Sequence, residues 1–179
     1  LAVQTLWVSP WLSDVASVPR GQIGRYLLIL GTSTMIGFLF WGTLTTRLLA
    51  KGVEPKTVFK WGSGFFLLVQ LLLAAVVTGG LPFLWAAFGF FGTVGSLGYI
   101  MLSRGFPIEL GGRVNTALNL LVFMTAFAIQ WVFGLILDYW SSVTAPGSQS
   151  LGYNFAFLFF LFLQIPGFLW ICLADYKKG

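Results

Sequence analysis

Asn115, Asn119 and Gln130 are amide side chains set inside an otherwise apolar run, and steps of four and eleven place them along one stripe of a helix. Each amide carries both donors and an acceptor, and in lipid those groups must find partners. Two uses are open for Asn119 and Gln130. They could bond neighbouring helices, at about 1 kcal/mol or less each, or line a polar cavity in which solute or water takes the bonds. Asn115, nearer the beginning of the run, reads as a cap or brace of the helix start. Thr32, Ser33 and Thr34 form a second polar patch, but hydroxyls can bond carbonyls of their own helix and so read as structural. Gln4, Gln70, Thr93 and Gln164 complete the inventory, with Gln70 in a wholly apolar surround.

Other chemistries lack their residues. The chain has no histidine and one cysteine, Cys172, so an internal disulfide is impossible and the usual ligands of a structural zinc or haem site are missing. No metal and no cofactor is expected. Paired carboxylates within a span, a Walker-type glycine loop and a Gly-x-Ser-x-Gly elbow are also missing, which argues against an enzyme. Proton relays use carboxylates or histidines inside the membrane; here the nearest candidates are Asp138 and Glu109, outside the apolar runs. Glu109 and Arg113 are four apart, a spacing suited to an ion pair on one helical turn.

The elements that must position these groups are long apolar helices. Tyr26–Thr46, Trp61–Thr78, Leu81–Leu102, Val114–Leu137 and Tyr153–Ala174 contain no charged residue, and each is near the roughly 20 residues that cross a hydrocarbon core. With 58% hydrophobic and 8% charged residues, the composition is that of a polytopic all-α membrane protein. Residues 1–12 are apolar but too short to span, and they read as the end of a truncated transmembrane helix; residues 13–179 read as a five-helix bundle. The opening lacks the basic segment and small-residue cleavage site of a signal peptide.

Eight of the ten basic residues fall in alternate connections: Arg47, Lys51, Lys56 and Lys60; Arg104 and Arg113; and Lys177 and Lys178. By the positive-inside rule these segments, including the C-terminus, face the cytoplasm, while Ser13–Arg25, Gly79–Gly80 and Asp138–Gly152 face out. Orientation thus accounts for the net charge of +5, and no nucleic-acid partner is expected. Trp11, Tyr26, Trp61, Trp85, Tyr139, Trp140, Tyr153, Trp170 and Tyr176 lie near span ends as interfacial anchors, whereas Trp7, Trp41 and Trp131 lie deeper. Gly89, Gly92, Gly95, Ser96 and Gly98 recur at short steps and give one helix a face open to close backbone contact. Gly31, Gly37, Gly62 and Gly64 are weaker instances, and Pro166 predicts a local kink.

The segment from Phe106 through Pro107, Glu109, Gly111, Gly112, Arg113 and Asn115 to Asn119, continuing to Gln130, Gly134 and Asp138, resembles the loop and eleventh helix of a bacterial major facilitator superfamily transporter. Gly42, Arg47, Lys51 and Gly52 are similar to that family's cytoplasmic motif, Gly-x-x-x-Asp-Arg with basic residues after it; Thr46 stands at the acidic position. A carboxylate there latches neighbouring helices, whereas a threonine offers only a neutral hydrogen bond. The resemblance covers the chain from the end of a seventh helix to a twelfth. It implies half of a major-facilitator-type bundle: the second half of a secondary transporter in the inner membrane, moving a small solute by alternating access with a missing six-helix half. Gln4, Trp7, Thr93, Ser96, Asn119 and Gln130 would then line the cavity. The competing expectation is a non-transporting scaffold or accessory subunit derived from such a half.

Overall fold

The computed structural model describes residues 2–75, 79–103, 105–143 and 149–173, and among them every regular element is helical. Two short helices open the chain, α1 (Ala2–Leu6) and α2 (Val8–Asp14), followed by α3 (Arg20–Ala50) and α4 (Pro55–Ala74). Next come α5 (Leu81–Gly92), a 3-10 turn (Thr93–Ser96) and α6 (Leu97–Ser103), which together form one interrupted span; a second 3-10 turn (Ile108–Leu110), α7 (Gly111–Val143) and α8 (Gln149–Leu173) complete the order. Five of these units are long and apolar enough to cross a membrane, and the protein is an integral membrane protein. Thr78 and Ala174, the expected ends of two spans, lie outside the described residues, as do Arg104, Tyr176, Lys177 and Lys178.

The helices overrun the apolar runs that mark them. α3 has 31 residues and α7 has 33, lengths of about 46 and 50 Å at the standard rise, against a hydrocarbon core of about 30 Å. Hydropathy marks only the stretch at hydrocarbon depth, whereas backbone hydrogen bonding continues into the headgroup layer. α4 begins six residues before the expected Trp61, because Glu54 is extended and Pro55 supplies a preset φ at the first helical position. α7 begins at Gly111, so Asn115 lies one turn inside the helix, past the capping position expected for it. α8 continues through Pro166.

The two ends of the bundle are tied differently. At one end, the Tyr153 hydroxyl of α8 donates to Asp14 Oδ2 at 3.1 Å, and Ser13 Oγ donates to Asp14 Oδ1 at 2.6 Å. At the other, Lys60 Nζ near the start of α4 donates to the carbonyl of Cys172 near the end of α8 at 3.2 Å. The main core fills the Asp14 end, with Trp11, Leu12, Leu73, Trp85, Phe133 and Phe157 almost wholly buried. Trp41, Val58, Val94 and Leu97 make a smaller cluster toward the Lys60 end.

Close backbone approach joins α3 to α5. A Cβ at Gly37 would lie 2.6 Å from the Phe90 carbonyl oxygen, and one at Gly89 would lie 2.8 Å from that of Leu30, distances that only glycine tolerates. The expected glycine face is therefore used in part: a Cβ at Gly95 or Gly98 would meet nothing within 4 Å. Gly62 of α4 admits Val94 and Trp41 in the same manner, with a Cβ falling 2.5 Å from Val94 Cγ2.

Candidate functional site

The helix formed by α1 and α2 is interrupted at Trp7. Pro10 supplies the cause: its ring disfavours the carbonyl of Leu6, one turn back, from continuing the helix, and its missing N–H costs nothing at the third position of a new one. The span opened by α5 is interrupted at Thr93–Ser96, where Gly92, Gly95 and Gly98 lower the helical preference and permit a tighter turn. Each interruption is followed by a seven-residue helix, α2 in the first case and α6 in the second.

Around the first break, α1 packs against α7, and its Gln4 side chain reaches Gly92 of α5. The Gln4 amide nitrogen would lie 3.3 Å from a Cβ at Gly92. The Trp7 ring stacks on Phe133 with centroids 5.0 Å apart, and two of its ring carbons would lie 3.5 Å from a Cβ at Gly134. Beyond the second break, the Tyr99 hydroxyl of α6 donates to Asn119 Oδ1 of α7. Ser96, half-buried, precedes Tyr99 by three residues and shares its face. The polar groups thus gather at the two discontinuities, a Gln4 group against α5 and a Ser96, Tyr99 and Asn119 group against α7. Sequence alone missed Tyr99; its spacing from Ser96 was the available signal.

The remaining candidates lie apart. Thr93 is buried, donates to the Phe90 carbonyl at 2.7 Å and abuts Gly37, so its hydroxyl serves the α3 contact. Gln130 is half-buried on α7, and Trp131 beside it is exposed. Gly42 and Arg47 are exposed on α3, and Lys51 and Gly52 form the turn after it, with Gly52 at φ +80°. The Thr46 hydroxyl donates to the Gly42 carbonyl of its own helix at 2.9 Å and latches nothing. Glu109 and Arg113 are both exposed, and no ion pair joins them: Glu109 sits in the 3-10 turn before α7, so the α-helical geometry that would bring the side chains together is not in place.

Gln70, isolated in the sequence, has partners on α8. Its amide nitrogen donates to the Phe157 carbonyl at 3.2 Å, and its oxygen accepts from Gln164 Nε2 at 3.0 Å. These bonds join α4 to α8, and they account for both glutamines as packing groups. Thr34 likewise bonds the carbonyl of Leu30. Three buried indole N–H groups, of Trp7, Trp11 and Trp85, have no protein acceptor among the described residues, and Trp11 and Trp85 meet edge to face with centroids 5.3 Å apart. Leaving a buried donor unpaired costs about 1–3 kcal/mol, so dense packing of this end is achieved against a polar penalty. No cluster of three metal-ligating side chains occurs among the described residues.

Comparison with protein-family models, characterised proteins and solved structures finds no match to this chain. What the fold defines is therefore the class alone: a helical integral membrane protein with five candidate spans and two interrupted helices.

Proposed function

We propose that the chain is the second six-helix half of a secondary transporter of the major facilitator type, moving a small solute by alternating access. The observation that carries the proposal is the pairing of helices. Exchanging α1 and α2 with α5 and α6, α3 with α7, and α4 with α8 converts the α3–α5 contact into α7–α1. The same exchange converts α2–α3 into α6–α7 and α3–α4 into α7–α8, and it returns α4–α8 to itself, whereas the α4–α5 packing has no comparable counterpart between α8 and the short α1. The segments exchanged run in opposite directions, α2 toward the Asp14 end and α6 toward the Lys60 end. Inverted three-helix repeats have this pattern, and discontinuous helices in corresponding positions mark the substrate site of such proteins.

The breaks at Trp7 and Thr93–Ser96 accordingly flank the solute path, with Gln4, Trp7, Ser96 and Asn119 on it and Gln130 further along α7. The partner is the first six-helix half, which packs against the bare apolar sides of α3 and α7. The membrane is a bacterial inner membrane, with the Lys60 end toward the cytoplasm on the strength of the basic loops.

The test is uptake by proteoliposomes holding the protein assembled with its partner half, screened over small polar solutes, with melting curves on the same preparations. Asn119→Leu and Gln130→Met are expected to impair uptake at least about 10-fold, with melting temperatures close to the parent's. Normal uptake with lowered melting temperature in both would contradict the cavity assignment. No uptake of any solute by an assembly that remains intact would favour a scaffold.

A further inference from the structure

A groove of about 370 Å³ lies between α3, α4 and α5 toward the Lys60 end, away from the two helix breaks. Its walls are apolar throughout and include Leu44, Leu48, Val58 and Phe91, with Phe40 and Trp61 on the rim. Phe40 and Trp61 are exposed, so the groove opens sideways to the bilayer. The one indole that could offer it a donor deep inside, Trp41, spends its N–H on the Phe90 carbonyl at 3.0 Å. A polar solute would find no hydrogen bond here, and hydrocarbon would lose none.

The groove is also lined by Val53, in the turn between α3 and α4, and by Thr57 in the first turn of α4. From the last turn of α3 through the connection to the start of α4 the chain carries Arg47, Lys51, Lys56 and Lys60 against a single acid, Glu54. Arg47, Lys51 and Glu54 are exposed, while Lys60 is engaged with the Cys172 carbonyl. An apolar slot that opens to lipid and ends at a cationic turn matches one chemistry: acyl chain below, negative charge above.

We infer that this groove binds a diacyl phospholipid with an anionic headgroup, its acyl chain along α3 and α5 and its phosphate at Arg47 and Lys51. Juxtamembrane cations attract anionic lipid, and Arg47 and Lys51 flank in sequence the turn at this end of the groove. A zwitterionic lipid would gain the apolar contact without the charge. The site is independent of the transport path, and it stands whether or not the chain moves a solute.

The experiment uses the delipidated protein in nonionic detergent, titrated with phosphatidylglycerol, phosphatidylcholine of identical chains, or glycerol phosphate, and read by native mass spectrometry and melting temperature. Phosphatidylglycerol is expected to be retained and to raise the melting temperature, with phosphatidylcholine at least about 10-fold weaker and glycerol phosphate without effect. R47Q combined with K51Q, both at exposed positions, should weaken phosphatidylglycerol binding by roughly 25-fold, about five-fold per charge, and leave phosphatidylcholine unchanged. Leu44→Trp should exclude both lipids by filling the slot. Should that variant fail to fold, Thr57→Trp at the exposed wall serves the same purpose. Equal retention of the two lipids, an unchanged R47Q/K51Q variant, or a groove occupied by a second copy of the chain would overturn the assignment.

Discussion

At the Asp14 end, side chains from α2, α5, α7 and α8 close over one another; at the Lys60 end, an apolar cluster of four buried residues and an open apolar groove take their place. Phe133 shows the difference most clearly. It is wholly buried and touches the rings of Trp7, Tyr153, Phe157 and Phe160, with centroids 5.0 to 6.1 Å apart. Phe65, half a bundle away, stacks on Phe91 alone and is 49% exposed. The same interrupted span passes through both regions, α5 on the dense side of the 3-10 turn and α6 beyond it. A helix clamped at one end and loosely held past a break can bend there without dismantling its core.

The largest effect that sharpens this contrast is expected from Phe133→Ala. Removing a ring from the dense cluster should cost about 3–5 kcal/mol, whereas Phe65→Ala at the groove should cost under about 1 kcal/mol. Melting in one detergent, with and without added lipid, compares them. Similar losses for both would erase the distinction between the ends.

Glycine substitution comes next in size. Gly37→Ala drives a methyl against Thr93 Oγ1 and the Phe90 carbonyl and should cost about 1–3 kcal/mol through overpacking. Gly98→Ala, on the expected glycine face of the α5–α6 span but with open space around it, should be neutral or stabilising by up to about 1 kcal/mol from helix propensity alone. Thermal stability and folded yield read both, and equal losses would mean that the α6 segment is packed as tightly as α5.

A smaller effect is expected from the glutamine pair. Gln70→Leu and Gln164→Leu should each cost about 1 kcal/mol or less, and the double variant should cost less than the sum, because both singles break the same bond. Strict additivity in a double-mutant cycle would show that the two amides act separately.

The existence of the spans was legible because lipid excludes charge so strongly that five charge-free runs stand out in any reading. Their ends were not, since the helices run on into the headgroup layer where hydropathy is silent. The break at Thr93–Ser96 left a trace in Gly92, Gly95 and Gly98, and the break at Trp7 left one in Pro10; each is ambiguous alone, as Pro166 shows by sitting inside an unbroken α8. Which polar residues meet was the least legible feature. Helical spacing places Asn119 and Gln130 on one stripe but says nothing of the opposing helix, so Tyr99 as the partner of Asn119, and Gln164 as that of Gln70, became visible only with the packing. The Glu109–Arg113 spacing misled because it presumed an α-helix where a 3-10 turn intervenes.

The central claim is that the breaks flank a path opened alternately to either side of the membrane. Ser96→Cys in a Cys172→Ser background, in the protein assembled with its partner half, tests it most directly when an impermeant thiol reagent is applied to right-side-out and to inside-out vesicles. Alternating access predicts labelling from both faces. Labelling from one face only, or from neither, would contradict it.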